Sequence, residues 1–200
     1  MSPRKKPLLQ PVLFMMAVTA LCTLLLALLN EASIGRIREQ ESLQQKKTIL
    51  YVLNQPIPEE PEAVAEAFSR LVVPENDYFK AVQGNETLGY AFPVEGPGLW
   101  GSMTGYAALD AEGKQLLGVS LPTHSETPGL GGRINEPWFT EQFRGIPLDD
   151  TGRLKLVFKP AEGGNLDAIT GATLTSEAVR KVVTEDVDSF AAQLKGGGIQ

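Results

Sequence analysis

The chain has 200 residues, 42% hydrophobic and 21% charged, a composition that can bury one core and excludes a disordered tail. One cysteine, Cys22, and one histidine, His124, exclude an internal disulfide, a cysteine-rich zinc site, a Cys-X-X-Cys-His haem attachment and any metal site needing two imidazoles from this chain. The net charge is −6, and Arg4, Lys5 and Lys6 gather positive charge at the extreme N-terminus, so the remainder is more acidic still and offers no basic domain to a nucleic-acid backbone.

Residues 12–29 carry no charge and are interrupted only by Thr19, Cys22 and Thr23. As a helix rising ~1.5 Å per residue they cover roughly 27 Å, close to the hydrocarbon thickness of a bilayer. The run is long for the apolar region of a signal peptide, and Asn30-Glu31-Ala32-Ser33 has no small-x-small cleavage pattern, so an uncleaved anchor in the lipid bilayer is expected. Arg4, Lys5 and Lys6 precede the span while Arg36 and Arg38 follow it, a modest bias that keeps the N-terminus (residues 1–11) cytoplasmic and puts the rest outside. With Cys22 inside the span, the outer portion has no thiol, as suits an oxidising compartment.

Residues 30–60 read as a juxtamembrane stalk and linker, helical, polar and Gln-rich, broken near Gly35 and stopped by Pro56, Pro58 and Pro61. A helix is expected to open at Pro61 with Glu62 in its first turn and Val64, Ala67, Phe68, Leu71 and Val72 as its apolar stripe. Beyond Pro74 the pattern turns to short strands and glycine turns. Residues 104–110 and 115–121 around Gly113 predict a β-hairpin, and the alternation over 153–159 predicts another strand. Phe139 and Phe143 place a short helix across 137–143, and a final helix is expected from about Thr175 to Leu194, ended by Gly196-Gly197-Gly198. No repeat is visible, so the class is α+β: one domain over 61–195 on an anchored stalk, with 196–200 as a flexible C-terminus.

Two segments are richer in special residues than connections need. In His124-Ser125-Glu126-Thr127-Pro128-Gly129-Leu130-Gly131-Gly132-Arg133, three glycines and a proline fix a tight loop whose backbone can approach a ligand closely, although a structural turn uses the same residues. Residues 167–176, Asp167-Ala168-Ile169-Thr170-Gly171-Ala172-Thr173-Leu174-Thr175-Ser176, precede the last helix, where hydroxyls and free N–H groups suit a phosphate. Capping by Thr175 or Ser176 accounts for those two positions but leaves the others unexplained.

Asp167-x-x-Thr170-Gly171-Ala172-Thr173 resembles the flavinylation motif Asp-x-x-(Ser/Thr)-Gly-Ala-(Ser/Thr) of FMN-binding domains. His124-x-Glu126-Thr127-Pro128-Gly129-Leu130-Gly131 is similar to their second signature, in the same order along the chain. That family includes the C subunit of the sodium-pumping NADH:quinone reductase and the G subunit of the Rnf electron-transport complex, single-span proteins with an extracytoplasmic FMN domain. Gly96-Pro97-Gly98-Leu99-Trp100 is more similar to the reductase's C subunit, whereas the chain is shorter than is typical of that protein.

The resemblance implies FMN held through a phosphoester to the hydroxyl of Thr173. It also implies a separate flavin transferase acting on FAD, since an unaided threonine hydroxyl is a poor nucleophile and the segment has no histidine. Asp167 either assists that reaction or fixes the turn. Gly171 and Ala172 leave steric access, and Thr170 bonds either phosphate or local backbone. Glu126, Thr127, Gly129, Leu130, Gly131, Leu174 and Thr175 join the cofactor site, with backbone amides around 127–131 as donors to the flavin ring and Leu130, Leu99 and Trp100 as apolar walls. Trp100 as plain core and His124 as a satisfied turn residue remain alternatives, and Ser125 and Glu126 beside His124 do not make a hydrolase. The expectation is an electron-carrying subunit, not catalytic alone, within an ion-translocating NADH:quinone reductase type complex of the bacterial inner membrane. The rival classes are an Rnf component or free-standing carrier, and a non-redox anchored assembly module.

Overall fold

In the computed structural model residues 9–197 are described, so Arg4, Lys5, Lys6 and Gly198 lie outside the described residues. The chain divides into two compact units, Met1–Ser42 and Leu43–Gln200.

Helix α1 (Leu9–Val52) supplies the described part of the first unit, and its apolar half is long and apolar enough to cross a membrane. The hydroxyls of Thr19 and Thr23 donate to the carbonyls of Met15 and Thr19, both at 2.8 Å, so neither presents an unpaired donor to an apolar medium. The break expected near Gly35 does not occur. The helix continues through it, because one glycine costs only about 1 kcal/mol relative to alanine and the flanking residues favour helix.

The second unit is built on a six-stranded antiparallel sheet in which every strand pairs with its neighbour in sequence: β1 (Val72–Pro74), β2 (Phe79–Gln83), β3 (Glu86–Pro97), β4 (Ser102–Asp110), β5 (Gln115–Thr123) and β6 (Ile146–Pro147). The expected hairpin is β4–β5, turned by Gly113 at φ +66° and tied by Asp110, whose Oδ1 accepts from Lys114 N–H at 2.7 Å. Side chains alternate across a strand, so Ala107 and Leu109 enter one core and Ala108 the other.

One core lies between the sheet, the last turns of α1 and helix α2 (Pro61–Leu71), and holds Ile49, Leu50, Val52, Leu53, Val64, Ala67 and Ala108. The stretch read from sequence as stalk up to residue 60 therefore gives its end to the domain core: Ile49, Leu50 and Leu53 are apolar at helical spacing and lose their water against the sheet. Val72, expected in the stripe of α2, is the first residue of β1 and is buried there.

The other core lies under helix α4 (Thr173–Lys195), the short helix α3 (Pro137–Thr140) and the loops. Phe190 of α4 stacks on Phe92 of β3 with ring centroids 4.1 Å apart, and α4 crosses β3 so closely that a Cβ at Gly96 would stand 2.4 Å from Val182 Cγ2.

The strand predicted over 153–159 is absent, although its alternation is real: Leu154 and Leu156 are buried and Arg153 and Lys155 exposed. Its backbone pairs only at isolated bridges, Leu154 with Leu148 and Phe158 with Leu166, and side chains take several of the bonds between them. Leu154 N–H donates to Asp188 Oδ1 at 2.8 Å, Val157 N–H donates to Asn165 Oδ1 at 2.9 Å, and Asn165 Nδ2 donates to the Lys155 carbonyl at 2.8 Å.

Candidate functional site

Helix α4 begins two residues earlier than capping logic predicts. Ala172, at φ −138° and ψ 42°, occupies the cap position and provides no side-chain cap, so the first turn keeps open N–H groups and the positive end of the helix dipole. Thr173 is the first helical residue and its side chain is exposed. Ser176, one of the two expected caps, instead ties the motif back onto the helix: its Oγ accepts from Ile169 N–H at 3.0 Å and donates to the Ala172 carbonyl at 3.1 Å. Gly171 turns the chain at φ +80°, where a side chain would be strained, and its open face lies against Leu130.

Thr175, the other expected cap, is 1% exposed and reaches across to a different loop, donating from Oγ1 to Glu126 Oε2 at 2.7 Å. Glu126 is 5% exposed, and its other oxygen, Oε1, accepts from Leu99 N–H at 2.7 Å and Trp100 N–H at 3.2 Å. One buried carboxylate thus joins three segments: the turn 98–101 between β3 and β4, the loop after β5, and the first turn of α4. Burying a carboxylate is expensive unless donors surround it, and here three do. Two glycines make the approach possible. A Cβ at Gly98 would stand 2.5 Å from Glu126 Oε1, and one at Gly131 would stand 2.7 Å from both Glu126 Oε2 and Thr175 Oγ1.

Around this hub the apolar side chains point outward. Trp100 is 69% exposed and Leu174 67%, with Leu99 and Leu130 also exposed, so Trp100 is not core. Each of the three segments joined by Glu126 thus carries an exposed apolar side chain, an open apolar rim that includes the first turn of α4, where Thr173 stands.

The ring donors expected over 127–131 are only partly available. The Thr127 carbonyl accepts from Leu130 N–H at 3.1 Å and Gly132 N–H at 2.9 Å, closing the loop on itself, while Gly129 turns at φ +74° with open space about it. His124 is held by its neighbours: Nδ1 accepts from Glu126 N–H at 3.2 Å and Nε2 meets the Asn135 carboxamide at 2.9 Å, which makes it a strut of the loop. Glu136, just beyond the loop, is held below the usual carboxylate range, chiefly by the indole N–H of Trp138 and also by Arg133.

Asp167 is exposed and pairs with Lys159 Nζ at 2.9 Å, and its backbone is held by Gln142, whose Oε1 accepts from Asp167 N–H at 2.6 Å. Thr170 is exposed nearby. Sequence reasoning does not single out Lys159 or Gln142; they lie 8 and 25 residues from Asp167, and nothing in their local pattern signals the contact. Among the described residues no cluster of His, Cys, Asp or Glu is placed to hold a metal ion.

A family model described as "FMN-binding domain" matches residues 98–188, a range that holds the turn, the loop and the first turns of α4. The G subunit of the ion-translocating oxidoreductase complex of Methanosarcina acetivorans is 30% identical over 192 residues, covering 94% of this chain and 97% of that one. The C subunit of the Na(+)-translocating NADH-quinone reductase of Yersinia pestis is 36% identical over 109 residues, and there the match covers 52% of this chain and 41% of the relative's length. Among solved structures, that of NqrC from Shewanella oneidensis superposes with a TM-score of 0.67 at 21% identity, over 80% of this chain and 99% of that one, a likeness of fold.

Proposed function

The chain belongs to the FMN-binding domain family, and on that premise we propose that it is a membrane-anchored electron-transfer subunit carrying FMN on Thr173. The observation that carries the reading is the exposed Thr173 on the uncapped first turn of α4, with Leu174 next to it in sequence and Leu99, Trp100 and Leu130 exposed on the segments that Glu126 joins to that turn.

The residues fit the group. The open N–H groups of the helix start suit a ribityl phosphate, Gly171 leaves its approach free of a side chain, and the apolar rim suits an aromatic ring system. When bound, FMN supplies reversible one- and two-electron chemistry; the protein supplies attachment, orientation and electrostatics. Thr173 provides the oxygen of a phosphoester. With no histidine in the segment to activate that oxygen, a flavin transferase drawing on FAD would perform the attachment: the pyrophosphate bond breaks as the phosphoester forms, AMP leaves, and the hydroxyl proton passes to solvent. Asp167, Thr170, Gly171 and Thr173 of the motif stand at the surface, as a modifying enzyme requires, while Ile169 and Ala172 anchor it in the core. A tether makes tight enclosure unnecessary, and the exposed rim leaves one edge of the cofactor open to electron partners.

The partners are other subunits of an ion-translocating oxidoreductase, with α1 as the anchor and the domain on the extracytoplasmic side of the bacterial cytoplasmic membrane. Correspondence with a G subunit over 97% of its length supports an Rnf-type assembly over the NADH:quinone reductase, whose C subunit is matched over 41%. Coexpression with a flavin transferase tests the core claim. A fluorescent band should survive denaturing electrophoresis in the wild type and vanish in Thr173→Ala, and mass spectrometry of the Thr173 peptide should show the added FMN. A dark wild-type band refutes the carrier, and the proteins that co-purify with the native chain distinguish the two complexes.

A further inference from the structure

Glu126 and Thr175, both expected to touch the cofactor, direct their polar atoms at each other and at the backbone of a third segment. The carboxylate is nearly sealed from solvent and each oxygen has a different client: Oε1 holds the amides of Leu99 and Trp100, and Oε2 holds the hydroxyl of Thr175. The segments so joined carry the apolar rim and the exposed threonine respectively. Thr175 follows Thr173 with only Leu174 between them, and both lie in the first turn of one helix. The spacing between rim and threonine is therefore set through the hub. The glycines at 98 and 131 let the carboxylate sit that close, since either Cβ would stand within 2.7 Å of its oxygens.

We propose that Glu126 is a positioning residue, a clamp that fixes the Leu99–Trp100 turn against the start of α4 and thereby orients the flavin carried on Thr173 without touching it. The proposal rests on the carrier reading for its effect on flavin, while the clamp itself exists in the protein without cofactor. Hydrogen bonding, not charge, is the working element. In Glu126→Gln the carboxamide oxygen still accepts from the two amides, and its NH₂ group faces a Thr175 hydroxyl that can accept as well as donate. Glu126→Ala removes all three bonds, and Thr175→Val removes only the link to the helix while keeping the shape.

The test uses the full chain in detergent, with and without transferase. In the chain lacking flavin, amide hydrogen exchange at Leu99 and Trp100 should quicken about tenfold in Glu126→Ala, as expected for loss of a hydrogen bond to a charged group, and stay near wild type in Glu126→Gln. Thr175→Val should quicken the same two amides by a smaller factor, although the substitution lies on another element; unchanged exchange in β4 shows that each variant is folded. In the flavinylated chain, Glu126→Ala and Thr175→Val should still carry FMN by mass but show lower flavin fluorescence anisotropy and greater quenching by iodide, with Glu126→Gln restoring both. Unchanged exchange at Leu99 and Trp100 in folded Glu126→Ala overturns the clamp. Faster exchange with unaltered anisotropy overturns the effect on flavin and leaves a fold-stabilising contact only. Glu126→Gln behaving like Glu126→Ala overturns hydrogen bonding as the working element. A wild type that binds no flavin refutes the carrier reading and the orienting role with it, whatever the exchange data show about the clamp.

Discussion

The loop 129–132 holds three glycines that a sequence reading treats alike, and alanine placed at each should separate three different physical demands. At Gly131 the added Cβ would stand 2.7 Å from Glu126 Oε2 and Thr175 Oγ1 and 3.1 Å from Glu126 Cβ. Overpacking of this kind costs about 1–3 kcal/mol, and displacing the carboxylate also loosens a buried hydrogen bond, so Gly131→Ala should destabilise by about 2–4 kcal/mol. At Gly129 the new methyl meets nothing within 4 Å, but the backbone stands at φ +74°. The left-handed penalty of about 1–2 kcal/mol is offset by the reduced freedom of the unfolded chain, leaving about 1 kcal/mol. At Gly132 the nearest atom is the Thr127 carbonyl oxygen at 3.3 Å, a slightly tight contact that the loop must ease, and the backbone is not left-handed, so the change should cost no more than about 1 kcal/mol. Urea unfolding of the full chain in detergent, followed by circular dichroism, measures all three. Equal costs across the series, or a greater cost at Gly129 than at Gly131, would refute the argument that close approach to the carboxylate is what position 131 requires.

Leu50→Ala, at a fully buried position of the α1–α2 core, should cost about 2–5 kcal/mol in the same unfolding experiment. A chain starting at residue 61 should fail to give dispersed amide resonances, whereas one starting at residue 43 should give them, because the α1 side chains of that core lie between the two starts. Asp186 has its pKa raised by burial, with Glu185 and Glu95 adding to the effect and the Glu95 N–H opposing it. A carboxyl raised in the folded state contributes stability while protonated and loses it as pH rises through the folded value. Asp186→Asn, which can still accept the Glu95 N–H, should therefore raise Tm at neutral pH and have less effect at acidic pH, as a thermal series against pH will show. Lys159→Ala removes an exposed ion pair and should change stability by no more than about 1 kcal/mol, so any larger loss of flavin on Thr173 in that variant reports recognition of Asp167 and not folding.

Local signals in the sequence carried the regular elements. The proline-led helix at residue 61, the hairpin about Gly113 and the last helix with its stop at Gly196 each depend on residues close in sequence, and each forms within two residues of where it is expected. What depended on distant partners was not legible. Gly35 looks like a break because propensity is a local quantity, yet its cost is small beside the cooperativity of a long helix. Residues 153–159 have the alternation of a strand, but they pair only at isolated bridges, and Asp188 and Asn165 take backbone bonds of Leu154, Lys155 and Val157. At the candidate site, the motif singles out Thr173, Gly171 and the loop glycines, while the division between exposed residues and residues holding the loops together depends on contacts between distant segments. Glu126 and Thr175 are 49 positions apart, and no pattern in either segment announces that their side chains meet.

The long first helix has a consequence for how the protein can leave a membrane. Its apolar end and its buried end belong to one uninterrupted helix, and the boundary between the compact units falls inside it, after Ser42. A protease cutting among the exposed residues before that boundary would shed an intact fold together with anything esterified to it. A cut a dozen residues later, in the proline-bearing connection, would pull Ile49 and Leu50 out with the discarded half and leave the sheet with a bare greasy face.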